Sequence, residues 1–422
     1  MTDILDYQAQ HYLRKYIRRL SGEQYRQLKS VLYCNENVNP AVGAVFVMAN
    51  SDEQAHYHGH LTCKNPWCCP VCSALMMSHY RERIDAAIGI LKPTHFGFMV
   101  TFTIPHLGFM GWRESLDILY DSHAYFRLKS FKKGCGHAYH EFNKLYPVEH
   151  SVKAGEFTWS KKNGAHPHFH AIWWIPRDKF SNDDIVNWED ELGDFWLKTV
   201  KRKAIEYWRK HNLHANILKS GETLADLADR VFAGSDRCYK QLAFYMSKDE
   251  NGNLIEAVSG DYIAGWGTDC ELTGNRRKEA SHEGHMTPHQ MLVASYSDKE
   301  LQREYIAFCL AVTQKPVRHR IRFSMTGISK QIDVYLKEQS QRESKILQKK
   351  SEWEVVTYFD ENEWYALCDL DDSGAPVLAN ILWFAAHRRD LLADYLQSLG
   401  FEMHTGRHRR QRDVEESYDI AV

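Results

Sequence analysis

The chain has 422 residues, 44% of them hydrophobic and 26% charged, with a formal net charge of −2. That composition excludes a disordered chain and a bulk polycation, so any nucleic-acid contact must come from local basic patches. No stretch matches an uninterrupted apolar membrane span, and Met1 to Arg19 carries no signal-peptide apolar region, so the expectation is a cytoplasmic protein with no membrane partner.

Residues 3–33 place Ile4, Tyr7, Tyr12, Tyr16 and Leu20 at roughly helical spacing. Ser21-Gly22 breaks the run into two helices, with Ser21 placed to cap the second. Residues 34–72 read as irregular and hold a cysteine cluster. A helix is predicted over 73–91, ending before Lys92-Pro93. Residues 96–104 are rich in strand formers, and Pro105 closes them. Helices follow at 112–132 and 136–145. A strand over 151–160, the turn Lys161-Lys162-Asn163-Gly164 and a strand through Ile175 make a β-hairpin. Residues 182–212, 222–231 and 236–248 read as helical, 251–290 as Gly-rich and polar, and 297–313 as helical. A charged linker helix is predicted over 331–352 and a small α/β or helical module over 353–402. A disordered tail begins at Arg407-His408-Arg409-Arg410-Gln411-Arg412.

The expected fold class is α+β, with a central antiparallel sheet, flanking helices, an N-terminal zinc-binding segment and a C-terminal extension. Strands 98–104 and 168–175 are apolar on both sides, so they are expected side by side in its middle. The expected domains are 1–92, 93–295 and 296–422.

Three clusters carry chemistry. In the strand containing His166-Pro-His168-Phe-His170, His168 and His170 share a face, which offers two imidazoles to a divalent metal. The plainer alternative is a pair of satisfied core histidines. Cys63-Lys-Asn-Pro-Trp-Cys68-Cys69-Pro-Val-Cys72 has zinc-like spacing. Cys63, Cys69 and Cys72 are the best three ligands. Cys68, Cys34, His58 and His60 compete for the fourth place, with Cys34 preferred. Four ligands leave no open position, so this zinc reads as structural. Cys135, Cys238, Cys270, Cys309 and Cys368 are isolated and read as core residues. Finally, Tyr245 and Lys248 are three apart and would share a helix face, where a lysine can stabilise a nucleophilic phenolate.

Together these segments resemble the HUH endonuclease superfamily, most closely the rolling-circle replication initiators (Rep proteins) of small plasmids. The resemblance rests on Met99-Val-Thr-Phe-Thr-Ile-Pro105, His166-Pro-His-Phe-His170, Ala243-Phe-Tyr-Met-Ser-Lys248 and the preceding Cys69-Pro-Val-Cys72. Trp266-Gly-Thr-Asp-Cys-Glu-Leu-Thr273 and Thr287-Pro-His-Gln-Met-Leu292 are similar to downstream segments of the same group. It covers roughly residues 34–330 and implies a metal-dependent nickase. His168, His170 and a third ligand would hold Mg²⁺ or Mn²⁺. Tyr245 would attack single-stranded or hairpin plasmid-origin DNA, leaving a 5′-phosphotyrosine and a free 3′-hydroxyl, and strands would later be rejoined.

Glu156 is favoured as third ligand. A turn centred near Asn163 places it opposite His170 on the same face, whereas a two-residue Asn-Gly loop points it away. Gln241 stands where some plasmid initiators carry a glutamate for termination, which leaves that step without its expected base. Lys201, Arg202, Lys203, Arg276, Arg277 and Arg320 are the candidate phosphate contacts. Host helicase and polymerase are further candidate partners. Rival readings are a single-strand transposase or relaxase with the same chemistry, a metal-dependent hydrolase with a water nucleophile, and a non-catalytic zinc-containing DNA-binding repressor.

Overall fold

The computed structural model describes residues 4–104, 110–127, 137–180, 182–212, 218–232, 242–245, 247–248, 254–255, 284–314, 323–346 and 353–405. The strands are β1 (Val45–Ala49), β2 (Ala55–His58), β3 (His95–Thr103), β4 (His150–Ser160), β5 (Gly164–Pro176), β6 (Leu242–Tyr245), β7 (Ser247–Lys248), β8 (Leu254–Ile255), β9 (His285–Met286), β10 (Phe323–Thr326) and β11 (Glu354–Phe359). The first helices are α1 (Ile4–Arg18), α2 (Gly22–Leu32), α3 (Pro70–Leu91), α4 (Trp112–Phe126), α5 (His137–Leu145), α6 (Asn182–His211) and α7 (Leu224–Phe232). They continue as α8 (Pro288–Ala294), α9 (Lys299–Thr313), α10 (Ser329–Ile346), α11 (Glu361–Ser373), α12 (Val377–His387) and α13 (Arg389–Ser398). The class is α+β, with antiparallel sheets flanked by helices. Among the described residues no helix is long and apolar enough to cross a membrane.

Contacts divide the chain into two compact units, 80–291 with 311–332, and 1–79 with 292–310 and 333–422. In the first, the sheet order is β10-β4-β5-β3-β6, with β9 also on β4. β3 pairs with β5 along its whole length, from His95↔Pro176 to Thr103↔His168. The face carrying Phe98, Phe102, Phe169 and Trp173 meets rings of α4, α5 and α6. Phe102 packs 5.4 Å from Phe126 and 5.1 Å from Trp196, and Trp173 packs 5.5 Å from Tyr139. Truncating such a buried ring costs about 3–5 kcal/mol, so this face fixes which side of each strand is left for chemistry.

The same helix-covered face holds a lysine. Lys153 Nζ lies 4.1 Å from the Phe169 ring centre and 5.4 Å from that of Tyr120. Burial pushes its amine down from 10.5 to about 8, and Arg127 adds to the shift. The charged form is thus disfavoured in the fold. Its cost is full below about pH 8 and fades as pH rises towards the unfolded value of about 10.4. Lys153→Met is expected to stabilise the protein by about 1–3 kcal/mol at pH 7, with a gain that shrinks between pH 8 and 10.5. Denaturant titrations at the two pH values measure this, and equal stability of both proteins at pH 7 would contradict it.

In the second unit β1 is the middle strand of the order β11-β1-β2, and each of its residues is buried. The N-terminal and C-terminal segments, read one at a time in the sequence, combine here: β11 pairs with β1 from Val45↔Phe359 to Ala49↔Glu354. The buried Asp371 of α11 joins them further. It meets His11 Nδ1 at 3.1 Å and accepts from the Leu378 backbone N–H at 2.9 Å. Trp364 Nε1 donates to the Asn35 carbonyl at 2.9 Å.

Three expectations change. Residues 34–72 are not wholly irregular, because β1 and β2 form a hairpin there. Ser21 is the N-cap residue of α2 but its side chain makes no capping hydrogen bond. The predicted 236–248 helix is replaced by extended backbone at Leu242–Tyr245, which pairs with β3 from Phe102↔Leu242 to Met99↔Tyr245, and at Ser247–Lys248, which pairs with Leu254–Ile255. The edge of β3 offers a ladder of backbone partners that overrides local helix propensity.

Candidate metal centres

The hairpin that carries the histidines is joined by Lys161, Lys162 and Asn163, and closes at Ser160↔Gly164. Gly164 has φ +73°, the left-handed conformation that ends a three-residue hairpin loop, and Asn163 N–H donates to Ser160 Oγ at 3.1 Å. This odd-length loop sets the parity. Glu156 stands opposite His168, two residues from the expected His170, whose partner is Ala154. The turn is centred on Lys162 rather than Asn163, and the resulting register shift of two residues leaves Glu156 on the histidine face.

Glu156 Oε2 lies 3.0 Å from His168 Nε2 and 2.6 Å from His170 Nε2. Glu156 is 4% exposed and His170 6% exposed, so the trio lies nearly out of water. Burial alone would push the Glu156 carboxyl up, but His168 and His170 outweigh it and hold the group well below the usual carboxylate range. Thr101, opposite His170 on β3, places Oγ1 2.8 Å from His170 Nδ1. That contact leaves Nε2 for the cluster, the usual way a second group orients a metal-binding imidazole. His168 Nδ1 is buried with no hydrogen-bond partner among the described residues. Two imidazoles and a carboxylate whose donor atoms lie within 4.8 Å of one another make a set that could hold a metal ion.

The rows across this sheet face are informative. One reads Glu156–His168–Thr103, the next Ala154–His170–Thr101–Ala243, and the next Val152–Ile172–Met99–Tyr245. Tyr245 therefore has the register parity of the histidine rows. Lys248 belongs to a separate two-stranded ladder, so the shared helix face assumed for Tyr245 and Lys248 does not exist.

The four cysteines also converge. Cys34 follows α2, Cys63 lies in a loop, Cys69 precedes α3 and Cys72 is in its first turn. Pro70 suits the first helical position, where its missing N–H costs nothing, and this start places Cys69 and Cys72 one turn apart. Sγ separations are 3.5 Å for Cys34–Cys72, Cys63–Cys72 and Cys34–Cys69. That is far beyond a disulfide bond and near the edge of about 3.8 Å of a tetrahedral zinc thiolate. Hydrogen bonds from Cys34, Cys63 and Cys69 hold the Cys72 thiol far down, whereas burial pushes Cys69 up. The Cys63 N–H donates to Cys34 Sγ at 3.2 Å, and Gln10 and Arg14 both donate to the Cys34 carbonyl. Cys68 turns away, its Sγ 3.6 Å from the Cys309 carbonyl. His60 packs on Trp364, outside the cluster.

On α6, Lys201 pairs with Asp229 at 3.2 Å, and Arg202 and Lys203 pair with Glu206 at 2.9 and 2.7 Å. Exposed pairs of this kind are weak, so a phosphate can compete for these cations. Arg276, Arg277, Arg320, Tyr239, Gln241, the 266–273 segment and the Arg407–Arg412 run lie outside the described residues. Thr287 and Gln290 have a structural role, since each side chain accepts the other's backbone N–H at the start of α8, at 3.3 and 2.8 Å.

Sequence reading missed Thr101 as a histidine-orienting group, although its strand was recognised. It also missed a second triad, His95, Glu149 and His150. His95 lies 54 positions before Glu149, and only β-pairing brings it to Glu149 and His150, so no local spacing announces the triad. Comparison with protein-family models, with curated proteins and with solved structures gives no match for this chain.

Proposed function

We propose that the protein is a metal-dependent HUH-type endonuclease that nicks single-stranded DNA, acting as a plasmid rolling-circle replication initiator. The observation that carries the reading is the Glu156–His168–His170 cluster on the strands of an antiparallel sheet, with Tyr245 on the same sheet at matching parity. Two imidazoles beside one carboxylate suit Mn²⁺ better than the oxygen-seeking Mg²⁺. A bound cation would polarise the scissile phosphate and offset charge developing on its oxygens. Glu156 and the two histidines would hold it, and Thr101 would keep His170 in the ligating tautomer.

Tyr245 lies two strands and two residues from His170, a backbone separation of about 12 Å by ordinary sheet spacing. That gap accommodates a phosphodiester, and Thr101 and Met99 of β3 occupy the strand between them. The Tyr245 oxygen attacks phosphorus, the P–O3′ bond breaks, and the phenol proton ends on the departing 3′-oxygen through solvent. The bond energy stays in the phosphotyrosine, which permits rejoining. Lys248 remains a candidate for phosphate contact by its place in the chain. The proposed role of the cysteine cluster is to hold a structural Zn²⁺.

The test is incubation with Mn²⁺ and end-labelled single-stranded origin DNA, read on a denaturing gel. A protein-linked fragment is expected for the wild type and none for Tyr245→Phe. Cleavage without any linked protein would favour a water nucleophile, and DNA binding without cleavage would favour a repressor.

A further inference from the structure

The strands that carry the Glu156 cluster bring a second set of ligands together at their other end. His95 opens β3 and His150 opens β4, with Glu149 just before it, on either side of β5 at Pro176 and Trp174. His95 Nε2 lies 3.3 Å from Glu149 Oε2, and the His95 and His150 rings stand 5.0 Å apart at 65°. The donor atoms of all three lie within 4.8 Å of one another. Thr94 Oγ1 lies 2.8 Å from His95 Nδ1, which repeats the Thr101–His170 arrangement and turns Nε2 towards the cluster. The backbone after β10 presses on the other histidine. Gly327 has φ +84°, and a Cβ there would come within 2.6 Å of the Glu149 carbonyl and 2.7 Å of His150 Nδ1. Glycine permits this approach, and the approach fixes the His150 ring. The site is open to solvent on one side, since the Glu149 side chain is 51% exposed and that of His95 12%.

We propose that His95, Glu149 and His150 form a second divalent-cation site, suited to borderline ions such as Zn²⁺ or Ni²⁺, which ties together the starts of β3 and β4. An exposed His–Glu ion pair alone is weak and has no use for the oriented third ligand or for the threonine behind His95. Along β4, His150 and Glu156 are six residues apart, about 20 Å of strand, so this cation cannot share a phosphate with one held by Glu156. Its expected effect is on the stability of the sheet.

The experiment uses the full-length protein carrying its cysteine-bound metal and a His168→Ala/His170→Ala background, so that the first triad is removed. Titration with Ni²⁺ by calorimetry should detect one equivalent and an accompanying rise in Tm. Adding His95→Ala with His150→Ala should remove that equivalent. Thr94→Val should weaken binding about tenfold by freeing the His95 ring. His95→Gln, which keeps the shape of the site, should weaken it at least as much while circular dichroism stays unchanged. Failure of the background protein to bind Ni²⁺, or an equivalent that survives loss of both His95 and His150, would overturn the proposal.

Discussion

Replacing Cys69 and Cys72 with Ser is expected to unfold the unit built on the β11-β1-β2 sheet. The four cysteines join the end of α2, the 59–68 loop and the start of α3, and the carbonyl of Cys34 is gripped by Gln10 and Arg14 of α1. Binding free energy at structural zinc sites is about 10–16 kcal/mol near neutral pH, comparable with the whole stability of an ordinary domain of about 5–15 kcal/mol. The purified wild type should retain about one chelator-resistant zinc, and the double variant should lose both that zinc and its cooperative melting transition. A variant that melts like the wild type would remove the structural-zinc reading.

The second large effect is expected at the histidine pair. His168→Ala or His170→Ala should lower Mn²⁺-dependent nicking about a thousandfold, a loss of about 4 kcal/mol of transition-state stabilisation. Glu156→Gln keeps the shape but removes the charge held between the imidazoles, and should fall by about a hundredfold. Thr101→Val should weaken Mn²⁺ binding about tenfold, with activity recovered at high metal, because Thr101 acts through His170. Duplex origin binding should change little in all four, since recognition uses other surfaces. Nicking at wild-type rate in the His168→Ala/His170→Ala protein would exclude this cluster as the catalytic centre.

The parts of this structure legible in the sequence are those specified by local pattern. β3 and β5 carry no Asp, Glu, Lys or Arg and are rich in apolar residues, which marks largely buried strands, and their pairing follows. The cysteine spacing and the alternation of His168 and His170 are equally local. The register of Glu156 depended on one turn, and the three-residue loop moved its partner by two residues, which keeps its face. Long-range pairing was not legible. β11 finds β1 some 300 residues away, and His95 meets Glu149 and His150 only after β3 and β4 have flanked β5. The tyrosine segment misled because Leu242, Ala243, Met246 and Lys248 favour helix locally, while the open edge of β3 takes the chain as a strand.

Mapping the residue that becomes linked to DNA tests the central claim most directly. Trypsin cuts after Arg237, Lys240 and Lys248, so Tyr239 falls in the peptide 238–240 and Tyr245 in 241–248, each as its only tyrosine. After incubation with Mn²⁺ and single-stranded origin DNA, followed by nuclease trimming and mass spectrometry, the nucleotide-bearing peptide is predicted to be 241–248. A nucleotide on 238–240, or cleaved DNA with no modified peptide, would contradict the account.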